Sequence, residues 1–136
     1  MADRPLLLDT HVLLWWLGDP PRLSRPAREA IGDGARRVLV SAASLWEIAT
    51  KHRLGKLGEA GAFLSDPAAV LRAEGFEPLA VTWPHALLAG RLETPHRDPF
   101  DRMLAAQAML DGLVLASGDG VMDAMADAGR SVERLW

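Results

Sequence analysis

Residues 5–9 read Pro5-Leu6-Leu7-Leu8-Asp9, a short apolar run that ends in an acid. A run without polar alternation predicts a strand that is buried on both faces, as in a parallel sheet. Segments of helical character separate this run from later ones. The later apolar runs lie at residues 37–41, 78–81, 113–116 and 132–135. The alternation predicts one α/β domain over residues 1–136, an open parallel sheet with helices on both faces.

Turn and capping residues place the helices between the strands. Ser41 follows the second strand and is a good N-cap for a helix that runs to about Leu54. Asp98-Pro99 opens the most regular helix of the chain, which ends near Gly112. The other predicted helices cover residues 11–17, 25–32, 67–73 and 84–92, and a last one follows Gly120.

The composition excludes several classes of site. The chain has no cysteine, which excludes disulfides, thiolate metal sites and a cysteine nucleophile. No apolar run approaches the ~18–20 residues of a membrane span, and the N-terminus does not read as a signal peptide, so we expect a cytoplasmic protein. The formal net charge is −3. That sum does not decide on nucleic-acid binding, because acids that hold cations are counted in it.

Four acids follow predicted strands or open predicted helices. Asp9 ends the first strand, Glu47 lies in the second turn after the second strand, and Asp119 lies just past the fourth. Asp101 lies in the first turn of the helix that Asp98 opens. Open α/β sheets bind ligands at the carboxyl ends of their strands. The four side chains are therefore predicted to meet at one edge of the sheet.

Each of these acids also has a purely structural explanation when taken alone. Glu47 can pair with Lys51 at i+4, or it can complete a capping box with Ser44. Asp98 is a strong N-cap in front of a proline. Helix capping is equally open to the two acids that follow strands, Asp9 and Asp119.

Carboxylates that share a site repel one another unless a cation is present. Oxygen ligands suit Mg²⁺ or Mn²⁺ rather than zinc, and the four histidines show no zinc-binding spacing. Of these histidines, His11 is close enough to Asp9 in sequence to approach the site. Such an ion lowers the pKa of bound water and neutralises a phosphodiester during cleavage. The acids therefore predict metal-dependent phosphodiester hydrolysis without a covalent nucleophile.

Basic and aromatic side chains near the acids have two interpretations each. Five basic residues are candidates for contacts with RNA phosphates, the alternative being a solvated helix face: Lys51, Arg53, Lys56, Arg97 and Arg102. Tryptophans can stack on bases, but apolar neighbours favour core or interface positions for Trp15, Trp16 and Trp46. The first helix is apolar nearly all round, so we expect it to be deeply buried or part of a homodimer interface.

Three segments resemble the motifs of a known family, and they span the chain from Leu6 to about Met125. They are Leu6–His11, Ser44–Lys51 followed by Gly55-Lys56-Leu57, and His96–Ala108. These segments resemble PIN domains, in particular the toxins of bacterial VapBC toxin–antitoxin pairs. The resemblance implies a PIN-like α/β/α fold, RNA cleavage with Mg²⁺ or Mn²⁺, a VapB-like antitoxin partner and a dimer.

The family's four acids fall on Asp9, Glu47, Asp101 and Asp119, so the resemblance implies that these are the catalytic and metal-binding residues. Asp98 is an extra acid typical of this subgroup and is a possible further ligand. The sequence departs from the family after the last acid, where Met122 stands in place of a common phenylalanine.

Other classes of protein fit the same motifs less well. A phospho-accepting receiver domain would carry paired acids after its first strand and a lysine after its last, and neither is present. A DxD phosphatase fails because His11 occupies the place of its second acid. The alternative that stays open is a catalytically silent PIN-fold module that binds RNA or protein.

Overall fold

The central sheet of the computed structural model, which describes residues 3–136, has five parallel strands in the order β3-β2-β1-β4-β7. In the register of the sheet, Leu8 of β1 pairs with Val40 of β2 and Ala116 of β4, so these strands end level with one another. A separate antiparallel hairpin consists of β5 and β6. The strand bounds are β1 Leu6–Leu8, β2 Val38–Ser41, β3 Glu77–Leu79, β4 Val114–Ala116, β5 Ala126–Asp127, β6 Arg130–Ser131 and β7 Glu133–Leu135.

Helices cover both faces of the sheet. Side chains alternate along a strand, so Leu6 and Leu8 face one apolar core and Leu7 faces the other. The first core contains the buried side chains of α1, α2 and α5, and the second contains those of α6 and α7. The helix bounds are α1 Thr10–Gly18, α2 Arg25–Gly32, α3 Ala42–Arg53, α4 Gly61–Ser65, α5 Pro67–Glu74, α6 Trp83–Arg91 and α7 Pro99–Asp111. The predicted α/β/α fold class is confirmed.

The region after β4 differs from the sequence-based expectation. The predicted last helix is wrong: Gly120–Ala124 forms a 3₁₀ turn, and a hairpin follows it. Met122 and Met125 are both fully buried, and their spacing of three suits one 3₁₀ turn rather than a longer amphipathic helix. Ala128 and Gly129 then have positive φ angles of 48° and 81°, the combination that a two-residue type I′ turn requires.

Two shorter elements were also not anticipated from the sequence. The helix α4 lies in a stretch that carries no proline or strong N-cap at its start, and it follows a 3₁₀ turn at Gly58–Ala60. Its placement depends on Phe63, which packs into the first core. No helix among residues 3–136 is long and apolar enough to cross a membrane.

Ser41 links the sheet to the helix that carries Glu47. It is the last residue of β2 and the N-cap of α3, and its buried Oγ accepts a hydrogen bond of 3.0 Å from the backbone N–H of Ala43. We expect Ser41→Ala to lower the free energy of unfolding by about 1 kcal/mol, the usual loss for an N-cap serine. Urea denaturation measures this loss. An unchanged midpoint would show that α3 does not depend on its cap.

Candidate active site

Asp9 lies at the point where β1 becomes α1. It is the N-cap of α1, and its Oδ1 accepts a hydrogen bond of 2.8 Å from the backbone N–H of Val12. Only 7% of the residue is exposed. Burial raises the pKa of the Asp9 carboxyl above its ordinary value and the charge of Glu47 raises it further, whereas hydrogen bonds from Ser117 and Val12 hold it lower. The capping explanation and the site explanation therefore both apply to this residue.

Glu47 faces Asp9 from the neighbouring helix α3 and is only 3% exposed. Its Oε1 accepts a hydrogen bond of 2.5 Å from Thr10 Oγ1, and its Oε2 forms an ion pair with Lys51 one helical turn later. The capping-box explanation is wrong, because the N-cap of α3 is Ser41 and Ser44 lies inside the helix. Glu47 is thus a buried carboxylate with two specific partners.

Asp101 enters from α7 beside a second acid. Asp98 is the N-cap of this helix, and its Oδ1 accepts hydrogen bonds from the backbone N–H groups of Phe100 and Asp101, at 2.9 and 3.2 Å. Asp101 Oδ2 lies 2.8 Å from His96 Nε2. Burial raises the pKa of the Asp101 carboxyl, and the charges of Asp98 and Glu47 raise it further, while His96 counteracts them.

Asp119 lies farther out than the other three. It is exposed, and its Oδ1 caps the 3₁₀ turn by accepting from Val121 N–H at 3.0 Å. The backbone N–H of Asp119 donates to Ser117 Oγ at 3.1 Å, and Ser117 is also hydrogen-bonded to Asp9. Because β4 is the neighbour of β1, Ser117 joins the loop of Asp119 to the site of Asp9.

The structure brings Glu47 within electrostatic reach of both Asp9 and Asp101. Lys51 is the cation among them: the hydrogen bond to Glu47 raises the pKa of its ammonium, and the charges of Asp98 and Asp101 add to this. Among residues 3–136, no three histidine or acidic side chains are close enough together to hold an ion. Asp9, Glu47 and Asp101 thus form a loose acid cluster centred on Glu47, while the meeting of all four acids at one site stays a prediction.

The chemistry of the cluster fits a hard divalent cation. The donor set consists of carboxylate oxygens, which Mg²⁺ and Mn²⁺ prefer. The buried Asp9 and the half-buried Asp101 have raised pKa values, so their charged forms lack sufficient compensation in the metal-free state. A cation of higher charge than Lys51 would supply that compensation.

Comparisons with known proteins identify the family of the chain. The model of the PIN domain family matches residues 6–128. The chain belongs to the PIN domain family. Ribonuclease VapC22 of Mycobacterium tuberculosis is 32% identical over 117 residues, which cover 84% of this chain and 86% of that protein.

Solved structures share the fold of this PIN domain at low sequence identity. VapBC2 from Rickettsia felis, bound to a promoter DNA fragment, has a TM-score of 0.65 at 12% identity, covering 95% of this chain and 97% of that one. DNA-bound VapBC from Salmonella typhimurium has a TM-score of 0.67 at 18% identity, covering 98% of each chain. At these identities the likeness concerns the fold.

The basic residues around the cluster are not equivalent. Lys51 is engaged with Glu47, while Arg53, Lys56 and Arg97 are exposed. Arg102 donates to the backbone carbonyls of four residues that end α6 or follow it: Ala89, Gly90, Leu92 and His96. This corrects its place among the RNA-contacting candidates, because its guanidinium holds the segment that carries His96 against α7.

The aromatic residues divide between the core and the surface. Trp16 packs on Phe76, and Trp15 lies between His11 and Trp136. Both tryptophans are half-buried, so the first helix is only partly buried. Trp46 is 64% exposed, so a core position for it is wrong. His11 is exposed, and its charge lowers the pKa of Asp9, which places it at the edge of the site.

Sequence reasoning missed three residues that hold the acids in place. Thr10 orients Glu47, His96 contacts Asp101, and Ser117 joins Asp9 to the Asp119 loop. Thr10 and Ser117 carried a signal, since each is a hydroxyl residue at the carboxyl end of a strand that leads to an acid. His96 is five positions from Asp101, a spacing that no helical periodicity singles out, because His96 itself precedes α7.

The double role of Asp98 is testable with two substitutions. Asparagine caps a helix about as well as aspartate, whereas alanine costs about 1 kcal/mol. We expect Asp98→Asn to keep at least the wild-type free energy of unfolding, because it retains the cap and removes a charge that repels Asp101, and Asp98→Ala to be about 1 kcal/mol less stable than Asp98→Asn in urea denaturation. If Asp98→Asn is as unstable as Asp98→Ala, the charge of Asp98 and not its cap supports the helix.

The raised pKa of Asp101 predicts a pH dependence of stability without metal. Between the ordinary value of 3.8 and the raised pKa, the folded state binds more protons than the unfolded state, so stability falls as the pH rises through this window. The variant Asp101→Asn has no carboxyl at this position, so its stability does not show this part of the decrease with pH. In EDTA, we expect the variant to gain stability relative to the wild type between pH 3.8 and neutrality. A difference that is constant with pH would contradict the raised pKa.

Proposed function

We propose that this PIN domain is a Mg²⁺- or Mn²⁺-dependent endoribonuclease and the toxin of a VapBC-type toxin–antitoxin pair. The observation that carries the proposal is the cluster of Asp9, Glu47 and Asp101, in which the buried Asp9 and the half-buried Asp101 have raised pKa values. The relative named ribonuclease VapC22 supports RNA as the substrate. The structural likeness to VapBC complexes supports an antitoxin partner. RNA as substrate, together with the absence of cysteine, supports a cytoplasmic location.

In the proposed site, Asp9, Glu47, Asp101 and Asp119 would draw closer together around the ion than they lie without it, and would hold it with Asp98 as a possible further ligand. When bound, the ion supplies a water of lowered pKa and neutralises charge on the phosphodiester. Thr10 fixes the direction of Glu47 through its hydroxyl, and His96 does the same for Asp101. Lys51 balances the charge of Glu47 in the metal-free state. These contacts prepare the carboxylates before substrate arrives.

Three exposed cations are the proposed contacts for the RNA backbone: Arg53, Lys56 and Arg97. Lys51 joins them if it leaves Glu47 when the ion binds. Phosphate contacts of this kind position a nucleic acid without reading its sequence. They also make binding depend on salt, since each neutralised phosphate releases counterions.

The catalytic proposal is tested by removing single charges. We expect Asp9→Asn and Asp101→Asn to abolish Mn²⁺- or Mg²⁺-dependent RNA cleavage while the fold is retained or becomes more stable in EDTA, because a repelling charge is gone. Gel analysis of labelled RNA measures cleavage, and circular dichroism checks the fold. Glu29→Gln on the exposed face of α2 is the matched control. Cleavage at the wild-type rate by Asp9→Asn would contradict the mechanism.

The same cleavage assay distinguishes the proposed enzyme from the alternative, a catalytically silent PIN-fold module. A silent module binds RNA or protein but shows no cleavage at any concentration of Mg²⁺ or Mn²⁺. The retention of the four family acids favours the enzyme.

The proposed antitoxin partner has a groove available on the α1 side of the site. A cavity of about 630 Å³ lies between α1 and α4, with apolar walls that include Leu14, Trp15 and Phe63. His11 lines the same cavity, which therefore reaches the edge of the acid cluster. An apolar antitoxin tail would fit the groove and bring a basic side chain to the carboxylates. We also propose that the chain is a homodimer, which sedimentation at micromolar concentration tests.

If an arginine of the antitoxin tail enters the acid cluster, the affinity of the tail depends on the charges of the carboxylates. A guanidinium can bond two carboxylate oxygens at once, in competition with a metal ion. We expect a tail peptide to bind Glu47→Gln about 10-fold more weakly than the wild type, because a charge-assisted hydrogen bond is lost. Excess Mn²⁺ should weaken wild-type binding as well. Calorimetry of both proteins, with and without metal, measures the four affinities. Four equal values would place the tail outside the cluster.

A further inference from the structure

An apolar cavity of about 590 Å³ lies on the other side of the acid cluster, between α3, α6 and the start of α7. Trp46 and Phe100 form part of its wall, with ring centroids 4.9 Å apart and an edge-to-face angle of 74°. Trp46 is 64% exposed, although indole is among the most costly side chains to leave in water. This aromatic pair is therefore an open surface rather than part of either core.

The aromatic pair is adjacent in sequence to two of the acids. Trp46 precedes Glu47 on α3, and Phe100 precedes Asp101 on α7. Consecutive Cα atoms are ~3.8 Å apart, and consecutive side chains on a helix diverge by about 100°. Each acid accordingly turns into the cluster, while its aromatic neighbour turns outward into the cavity. The cavity begins within one residue of the carboxylates on two separate helices.

The charge around the cavity matches a nucleotide. The exposed Arg97 lines the same cavity, so a cation stands at the rim of an apolar surface. A nucleotide combines a flat, largely apolar base with an anionic phosphate, and aromatic faces and guanidinium groups are the side chains on which unpaired bases stack. Arg102 also borders the cavity, but its donors are used by backbone carbonyls. Arg97 is thus the cation placed to meet a substrate phosphate.

We propose that the cavity of Trp46, Phe100 and Arg97 binds one unpaired base of the RNA substrate, next to the phosphate that is cleaved. This inference rests on the proposed ribonuclease function and extends it to the form of the substrate. A base reaches the cavity only when it is splayed out of a helix, so the enzyme selects single-stranded loops over duplex RNA. Stacking tolerates every base, so the cavity selects for an unpaired nucleotide more than for a sequence.

The test uses an end-labelled, unstructured oligoribonucleotide in which the cleavage position of the wild type with Mn²⁺ has been mapped. Binding is then measured by fluorescence anisotropy in EDTA, where a metal-dependent enzyme does not cut. We expect Trp46→Ala to bind this RNA about 5- to 100-fold more weakly, the range for losing one stacked base, and Trp46→Phe to retain most of the affinity. In the cleavage assay, Trp46→Ala should raise KM more than it lowers kcat.

RNAs that lack a single base show whether the contact that Trp46→Ala removes is a contact with a base. Removing the base at one position beside the cut should weaken wild-type binding by the same factor as Trp46→Ala, and it should weaken Trp46→Ala binding little further. Such non-additivity indicates that the two groups touch. Trp83→Ala is the matched control, because Trp83 is 92% exposed on α6 and does not line this cavity. It should bind both RNAs as the wild type does.

The remaining outcomes each overturn one claim. Equal RNA affinity of wild type and Trp46→Ala overturns the base site and leaves the ribonuclease proposal intact. Base-dependent binding through Trp46 without cleavage in Mg²⁺ or Mn²⁺ overturns the ribonuclease proposal alone. If Trp46→Ala changes a dimer into a monomer in sedimentation, the cavity is a contact between copies of this chain. If it weakens only the antitoxin tail peptide, the cavity belongs to that peptide.

Discussion

The burial of two carboxylates side by side at the carboxyl edge of the sheet is the constraint on which the site depends. Asp9 and Glu47 come from different elements, yet both are almost excluded from water. Burying a charge is costly unless hydrogen bonds or an opposite charge compensate for it. The compensation here is distributed over neighbouring elements: the amide of Val12, the hydroxyl of Thr10 and the ammonium of Lys51. The level ends of β1, β2 and β4 make this arrangement possible, since they bring the starts of α1 and α3 together.

The fold was predictable from the sequence because its central strands β1 and β2 are short apolar runs that lead straight into a helix N-cap, Asp9 after β1 and Ser41 at the end of β2. The parallel register then follows from the α/β alternation, and the N-caps Ser41 and Asp98 set the starts of α3 and α7. The segment after Asp119 was not predictable in this way. Its structure depends on Met122 and Met125 inserting into the second core, and on a positive φ angle at Ala128, a residue type without turn preference. These are tertiary effects that local patterns do not encode.

The candidate site, like the fold, was predictable from the sequence only in part. The positions of Asp9, Glu47 and Asp101 follow from topology, so sequence reasoning indicates where they lie. Their partners depend on side-chain geometry across elements, which spacing does not reveal. Arg102 is the clearest case: its charge and position suggested a nucleic-acid contact, whereas its donors join α7 to the segment after α6. The exposure of Trp46 is another, since an apolar stretch predicts burial and gives no reason to expect an aromatic surface.

The ion pair between Lys51 and Glu47 has a consequence for how the protein responds to its ionic surroundings. Lys51 is tethered one helical turn from Glu47, so it acts as a counter-ion at fixed effective concentration. In the proposed site, a divalent cation that enters would compete with this tethered ammonium, and its apparent affinity would be reduced by the free energy of that exchange. The occupied fraction of the site would then vary over the range of free divalent cation in which this competition takes place. A single side chain on α3 would thereby set the concentration of divalent cation at which the site fills.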